Sequence, residues 1–221
     1  DISVAEGGKP PVATLAASKL FDMHVPGEKL VASFPDLPGR PYPNVSWAIV
    51  PATSTTELGA GATDADRAMM AEKGYSIWLS ATASKGPVSK KIRWGFTTNT
   101  LYERCKAEKE GREVDGVVVT NGGTESVQLT IHGDHFFYDD LQSADAKVRF
   151  DAIAGADADA DGEVTLEELA AVELADRSKI TAGSYGTGSA AGVHDLRAFV
   201  EALSRTIGHF RGEGECLTRA R

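Results

Sequence analysis

The sequence predicts an α+β protein, with an antiparallel β-sandwich over residues 1–138 followed by a small helical subdomain over residues 139–221. Three observations carry that expectation. Up to about residue 135 the chain is a succession of short runs rich in β-branched and aromatic residues, separated by turn residues. Beyond that point alanine becomes frequent and apolar residues recur at helical spacing. Apolar residues make up 42% of the 221 and charged residues 25%, which is enough for a packed core and argues against intrinsic disorder.

The strand-like runs are 29–34, 46–50, 75–81, 91–97, 114–120 and 124–132. In the fourth, Ile92, Trp94 and Phe96 share one face, with Lys91, Arg93 and Gly95 on the other. In the last, Val127, Leu129 and Ile131 point one way and Gln128, Thr130 and His132 the other. Asn121-Gly122-Gly123 between the final two runs predicts a hairpin, because these residues tolerate positive φ. Six runs without long intervening helices suggest a sandwich. Residues 63–73 predict a short inserted helix. Further helices are expected over 145–155, 165–176 and 193–210, the last carrying Leu196, Phe199, Val200, Leu203 and Ile207 on one stripe. Residues 182–192 read as a loop between the latter two.

Charge narrows the partners. Against 32 Asp and Glu stand 23 Lys and Arg, a net charge of −9, and no dense basic run is present. Lys85, Lys90, Lys91 and Arg93 read as a solvated face. Such a chain repels phosphate backbones, so nucleic acid is excluded as a partner. No apolar stretch approaches the roughly 18 residues of a membrane span. The opening residues carry no leader pattern, and a leader or lipid anchor already removed stays open, since the chain does not begin with Met. The two cysteines, Cys105 and Cys216, lack any C-x-x-C spacing. They suit a disulfide pinning the C-terminus to the body, which implies an oxidising, extracytoplasmic compartment, periplasmic or secreted. The alternative is two unpaired buried thiols.

The strongest motif is DADADGEVTLEE at residues 157–168. Calcium takes six to eight hard oxygens, and this run supplies them at the spacing a twelve-residue loop requires. Asp157, Asp159 and Asp161 offer carboxylates at loop positions 1, 3 and 5, and Gly162 occupies the sharp turn at position 6. Glu163 contributes its backbone carbonyl, Thr165 a hydroxyl or a held water, and Glu168 both carboxylate oxygens at position 12. The run resembles the EF-hand calcium-binding family, over the C-terminal third of the chain. The resemblance implies a helix–loop–helix with a short strand link at Val164. EF-hands usually pair, and residues 192–196 are similar to the back half of such a loop without its aspartates; Val193 is the expected partner of Val164. The methionines, Met23, Met69 and Met70, all lie outside the helical part, so a structural calcium is expected rather than a sensor that opens a Met-rich groove.

A second motif is Ile131-His132-Gly133-Asp134-His135. Imidazoles three residues apart, with Gly133 allowing a bend, suit copper or zinc. His209 or His24 would supply a third ligand, and Asp134 a ligand or an orienter of a ring N–H. The alternative is histidines that merely hydrogen-bond to nearby carboxylates. No nucleophile elbow, phosphate loop or dinucleotide fingerprint is present. The expectation is therefore an exported protein binding a structural Ca2+, with a transition-metal (Cu or Zn) site near His132 and His135, and a protein or surface component as partner. A metal-dependent hydrolase or oxidase centred on the histidines, and a calcium-stabilised adhesion or scaffold module, are the two alternatives.

Overall fold

A computed structural model of the chain describes residues 2–5, 10–15, 17–109 and 112–221, so part of the opening segment read for a leader lies outside the described residues. With 32% strand and 15% helix, the protein is mixed α+β with several sheets. In chain order the strands are β1 Ile2–Ala5, β2 Pro11–Thr14, β3 Lys19–Leu20, β4 Pro41–Tyr42, β5 Asn44–Ile49, β6 Glu57–Leu58, β7 Ile77–Lys85, β8 Val88–Phe96, β9 Thr100–Glu103, β10 Lys106–Lys109, β11 Arg112–Asp115, β12 Val117–Val118, β13 Leu129–Ile131, β14 Glu163–Val164, β15 Gly208–Phe210 and β16 Leu217–Ala220. The helices are α1 Asp64–Lys73, α2 Asp151–Ala154, α3 Leu166–Ala170 and α4 Leu196–Leu203, with a 3-10 turn at Gly133–Phe137.

The chain forms two compact units, each built from separated segments: residues 1–77, 97–131 and 208–221 in the first, 78–96 and 132–207 in the second. The sequence places one boundary near residue 138, whereas the grouping follows tertiary contact rather than chain order. Cys105 and Cys216 are bonded, and both belong to the first unit.

The first unit centres on an antiparallel sheet in the order β16-β9-β5-β1-β2. Its core gathers Val45, Trp47, Tyr102, Cys105 and Phe210. Trp47 stacks on Tyr102 with ring centroids 4.2 Å apart, opposite one another in the β5–β9 register. Gly208 lies against these rings, and a Cβ there would fall 2.4 Å from Trp47 and 2.7 Å from Tyr102. Helix α1 forms as the sequence predicts. Thr63 accepts from the Asp66 amide at 3.2 Å, the Asp66 carboxylate accepts from the Thr63 amide at 2.9 Å, and Gly74 ends the helix at φ 67°.

The second unit pairs the β7–β8 hairpin with helical segments. Ile92, Trp94 and Phe96 are all buried on one face of β8, as the alternation predicts. The buried stripe of α4, Leu196, Phe199, Val200 and Leu203, also falls where helical spacing puts it. Asp195 caps that helix by accepting from the Ala198 amide at 2.8 Å.

Several expectations give way to tertiary pairing. Residues 29–34 are not strand; Lys29 instead binds the carbonyls of Val25 (2.5 Å) and Gly27 (3.2 Å), and Leu30 is exposed. The Asn121-Gly122-Gly123 turn is present, with Gly122 at φ 70°, yet it closes no hairpin. The strands on either side pair elsewhere, β12 with β4 and β13 with β15. Helix 145–155 shrinks to α2 because residues 147–149 pair with 137–139 instead: the Lys147 amide donates to Asp139 Oδ1 at 2.8 Å, the Asp139 amide to the Lys147 carbonyl at 3.0 Å, and the Arg149 amide to the Phe137 carbonyl at 2.7 Å. Helix 165–176 ends at Ala170, after which Leu174 donates to the His194 carbonyl at 2.8 Å and Leu196 to the Val172 carbonyl at 3.0 Å. Helix 193–210 stops at Leu203, and residues 208–210 become strand β15.

Candidate metal centre

The loop 157–168 lies in the second unit between α2 and α3. Its conformation arises from short-range hydrogen bonds written into its own residue types. The Gly162 amide donates to Asp157 Oδ2 (3.1 Å), the Asp161 amide to Asp159 Oδ1 (3.2 Å), and the Glu163 amide to Asp161 Oδ1 (2.7 Å). Two residues take positive φ, Ala160 at 61° and Gly162 at 86°. Only glycine adopts the second without strain at no steric cost, which is why position 6 carries it.

The closing residue is held from both sides. Glu168 Oε1 accepts from the Ala158 amide (2.9 Å), and Oε2 accepts from the Thr165 amide (2.9 Å) and hydroxyl (3.0 Å). The Glu168 amide donates back to the Thr165 hydroxyl at 3.2 Å, so the residues at loop positions 9 and 12 also form the capping box of α3. Oxygens of Asp157, Asp159 and Glu168 come within 4.8 Å of one another. Asp161 is exposed and does not join that group. Thr165 turns its hydroxyl to Glu168, and the Glu163 side chain leaves the loop to meet Arg93 at 3.1 Å.

Electrostatics keep the site anionic. The Asp157 carboxyl sits below the ordinary aspartate range, first because Lys90 donates to it, against a desolvation cost, and with help from the Gly162 amide. Burial pulls Glu168 upward, but the amides of Thr165 and Ala158 and the Thr165 hydroxyl outweigh it and hold the carboxyl low. The Asp157 side chain is fully buried, and its Oδ1 has no hydrogen-bond partner among the described residues. A buried anionic oxygen left without a donor fits a cation ligand. An all-oxygen donor set of carboxylates suits a hard divalent ion such as calcium better than a soft one.

The loop docks on the hairpin, not on a second loop. Strand β14 runs parallel to β8, with Glu163 opposite Lys91 and Val164 opposite Ile92. The Lys91 amide donates to the Gly162 carbonyl at 2.8 Å, and the Trp94 indole N–H donates to the Val164 carbonyl at 2.9 Å. Val193, the expected partner of Val164, lies instead beside the Glu173–Asp195 bridge. Of the four residues read as a solvated basic face, Lys85, Lys91 and Arg93 are exposed, with Lys85 meeting Asp151 at 2.6 Å and Arg93 meeting Glu163 at 3.1 Å; Lys90 is the exception, half-buried and paired with Asp157. The signal was in the sequence. Lys90 is in phase with Ile92, Trp94 and Phe96, on the buried side of an alternating strand.

The histidines divide between the units. His132 precedes the 3-10 turn and His135 lies within it, their ring centroids 5.4 Å apart in the second unit. His135 Nδ1 is 3.0 Å from the Thr206 hydroxyl, which itself donates to the Leu203 carbonyl at 2.9 Å. With the Thr206 proton on the Leu203 carbonyl, the hydroxyl oxygen accepts from Nδ1–H, the tautomer of a neutral imidazole that ligates metals through Nε2. Asp134 accepts from the Tyr138 hydroxyl at 2.9 Å, which gives it a partner other than an imidazole. His209 belongs to the first unit, buried in β15 opposite Thr130, with Nδ1 3.9 Å from Glu215. His24 lies in an exposed turn of that unit, its amide donating to Asp22 at 2.8 Å.

Compared with known proteins, the chain matches no family model, no curated protein and no solved structure.

Proposed function

We propose that this chain is an exported binding protein whose second unit is held together by one structural calcium ion in an EF-hand-like loop at residues 157–168. The observation that carries the reading is the convergence of Asp157, Asp159 and Glu168 oxygens within 4.8 Å, with a buried Asp157 oxygen lacking a donor. Asp161, a backbone carbonyl and water would complete the six to eight oxygens that calcium takes. The structural role follows from where the loop ends. Val164 is buried and hydrogen-bonded into the hairpin, and Leu166 and Leu169 are buried directly after it. An ion that orders the loop therefore also orders the register of β14 on β8. The Cys105–Cys216 bond supports an oxidising location, where millimolar calcium fills even a weak site. The first unit, with its sheet and exposed loops, is the part we assign to a protein or surface partner.

An ion bound only by the folded state stabilises by mass action, about 2.7 kcal/mol at a hundredfold excess over Kd. Thermal melts of the full chain in millimolar calcium and in chelator should differ by several degrees. Glu168→Gln should abolish the difference, and identical melts for the parent protein would defeat the reading.

A second reading, a copper or zinc ion at His132 and His135, is favoured by one observation, the 3.0 Å contact of His135 Nδ1 with a Thr206 hydroxyl that is itself 2.9 Å from the Leu203 carbonyl, an arrangement that suits a lone pair on Nε2. Elemental analysis of protein purified without added metal, repeated on His132→Ala/His135→Ala, decides it. Near-stoichiometric copper or zinc lost in the variant supports a second metal and reopens the enzyme reading; calcium alone leaves a calcium-stabilised adhesion or scaffold module.

A further inference from the structure

Lys90 occupies an unusual place for a lysine. It projects from the buried face of β8, its side chain is only 20% exposed, and its ammonium donates to Oδ2 of Asp157, whose side chain is fully buried. Its position is not that of a mobile surface cation. The next residue, Lys91, is locked to the loop through the Gly162 carbonyl and the β14–β8 register. The sheet thus delivers one positive charge to the first of the carboxylates that converge with Asp159 and Glu168.

We propose that Lys90 is a built-in competing cation for this loop. Resting on the calcium reading above, the proposal makes Lys90 the residue that sets the affinity of the site. Without calcium the ammonium neutralises Asp157 and keeps the loop seated on the hairpin. A divalent ion coordinated by Asp157 would face that ammonium at contact range, where two positive charges in a partly buried site repel strongly. Calcium entry therefore expels the ammonium, and the flexible four-carbon stem allows its head to reach water. Binding is an exchange of one internal cation for an external one, and its apparent affinity is lowered by the strength of the pair it breaks. The same pair explains how the three converging carboxylates tolerate each other in the ion-free protein, since Asp157 is the only member of the group with a basic side chain on it among the described residues.

The test is calorimetric titration of calcium chloride into the chelator-stripped 221-residue chain, for the parent protein, Lys90→Met and Lys90→Arg. Expected are at least tenfold tighter binding by Lys90→Met, parent-like binding by Lys90→Arg, and a lower melting temperature of ion-free Lys90→Met that calcium restores. Binding by Lys90→Met with none by the parent protein also supports the competing lysine, while overturning a calcium-filled parent site. Equal or weaker binding by Lys90→Met overturns the proposal and leaves the calcium reading intact. No binding by any of the three overturns both. Should Lys90→Met not fold, the ammonium resonance of Lys90 in 15N-lysine-labelled parent protein decides. Its exchange-protected signal should vanish on saturation with calcium, and its persistence would overturn the proposal.

Discussion

The two units are held together by different kinds of contact. In the first, the contacts that matter join residues far apart in the chain: Cys105 with Cys216, Trp47 with Tyr102, and Gly208 against both rings. In the second, a contiguous stretch builds its own geometry, and its amides and carboxylates at residues 157–168 satisfy one another before docking on β8. The difference teaches where local chemistry suffices. A loop whose turns are made largely by its own side chains carries its shape in a short stretch of sequence, whereas a sheet core exists only once distant strands have met.

Removing the covalent link should break the comparison hardest. The Cys105–Cys216 bond encloses 111 residues of sequence separation, including the whole of segment 132–207. In the chain-entropy picture a loop of that order is worth about 4.7 kcal/mol, with measured losses of about 2–5. The Cys105→Ala/Cys216→Ala protein should lose that stability in denaturant melts. Amide exchange should show the loss in β9 and β16 before α4. Equal loss of protection in α4 at the lowest denaturant would mean that the units do not differ in this way.

An intermediate effect concerns the second unit. Tyr185 is buried beside Phe199 (ring centroids 4.8 Å apart) and under Arg149 (4.4 Å). Burial pushes its phenol up to about 12; Arg149 opposes this, and the carboxylates of Asp139 and Asp151 add to it. Because the folded state holds the proton more tightly, its contribution is complete below the unfolded value near pH 10 and is lost as pH rises towards 12. The loss should be on the order of 2 kcal/mol. It should appear as alkaline destabilisation of the parent protein that is reduced in Tyr185→Phe. Superimposable alkaline profiles would rule out this role for Tyr185.

The smallest effect lies back in the first unit. Thr63→Ala removes the α1 cap and should cost about 1 kcal/mol at neutral pH. The Asp66 carboxyl is held below its ordinary value, chiefly by the Thr63 hydroxyl and then by the Thr63 amide. A lowered carboxyl contributes stability above its unfolded pKa and loses it as pH falls through the folded one. The gap between parent and variant in urea should therefore narrow below about pH 3.9. A constant gap across that range would assign the cap to the hydroxyl alone.

Much of the candidate site was legible because its determinants are consecutive. The acidic spacing of residues 157–168, the glycine at 162 and the alternation of Ile92, Trp94 and Phe96 all appear in the structure as the residue types require. Lys90 was legible too, as a charge in phase with a buried face, but composition alone placed it among solvated lysines. Partner choice was not legible. Val164 carries a strand signal that Val193 or Ile92 could equally answer, and the turn at 121–123 specifies a reversal without specifying what pairs beyond it.

By itself, the sequence determined the elements whose energetics are local: the helix 64–73, the inward stripe of residues 196–203 and the acidic loop. Tertiary structure decided the length of each remaining helix, the pairing of β13 with β15, the docking of β14 on β8 and the burial of Lys90 against Asp157. The physical reason is that backbone groups must all find partners. When a distant strand or side chain offers one, a segment with weak intrinsic helix preference yields to it, and no count of neighbours along the chain records which distant group will arrive.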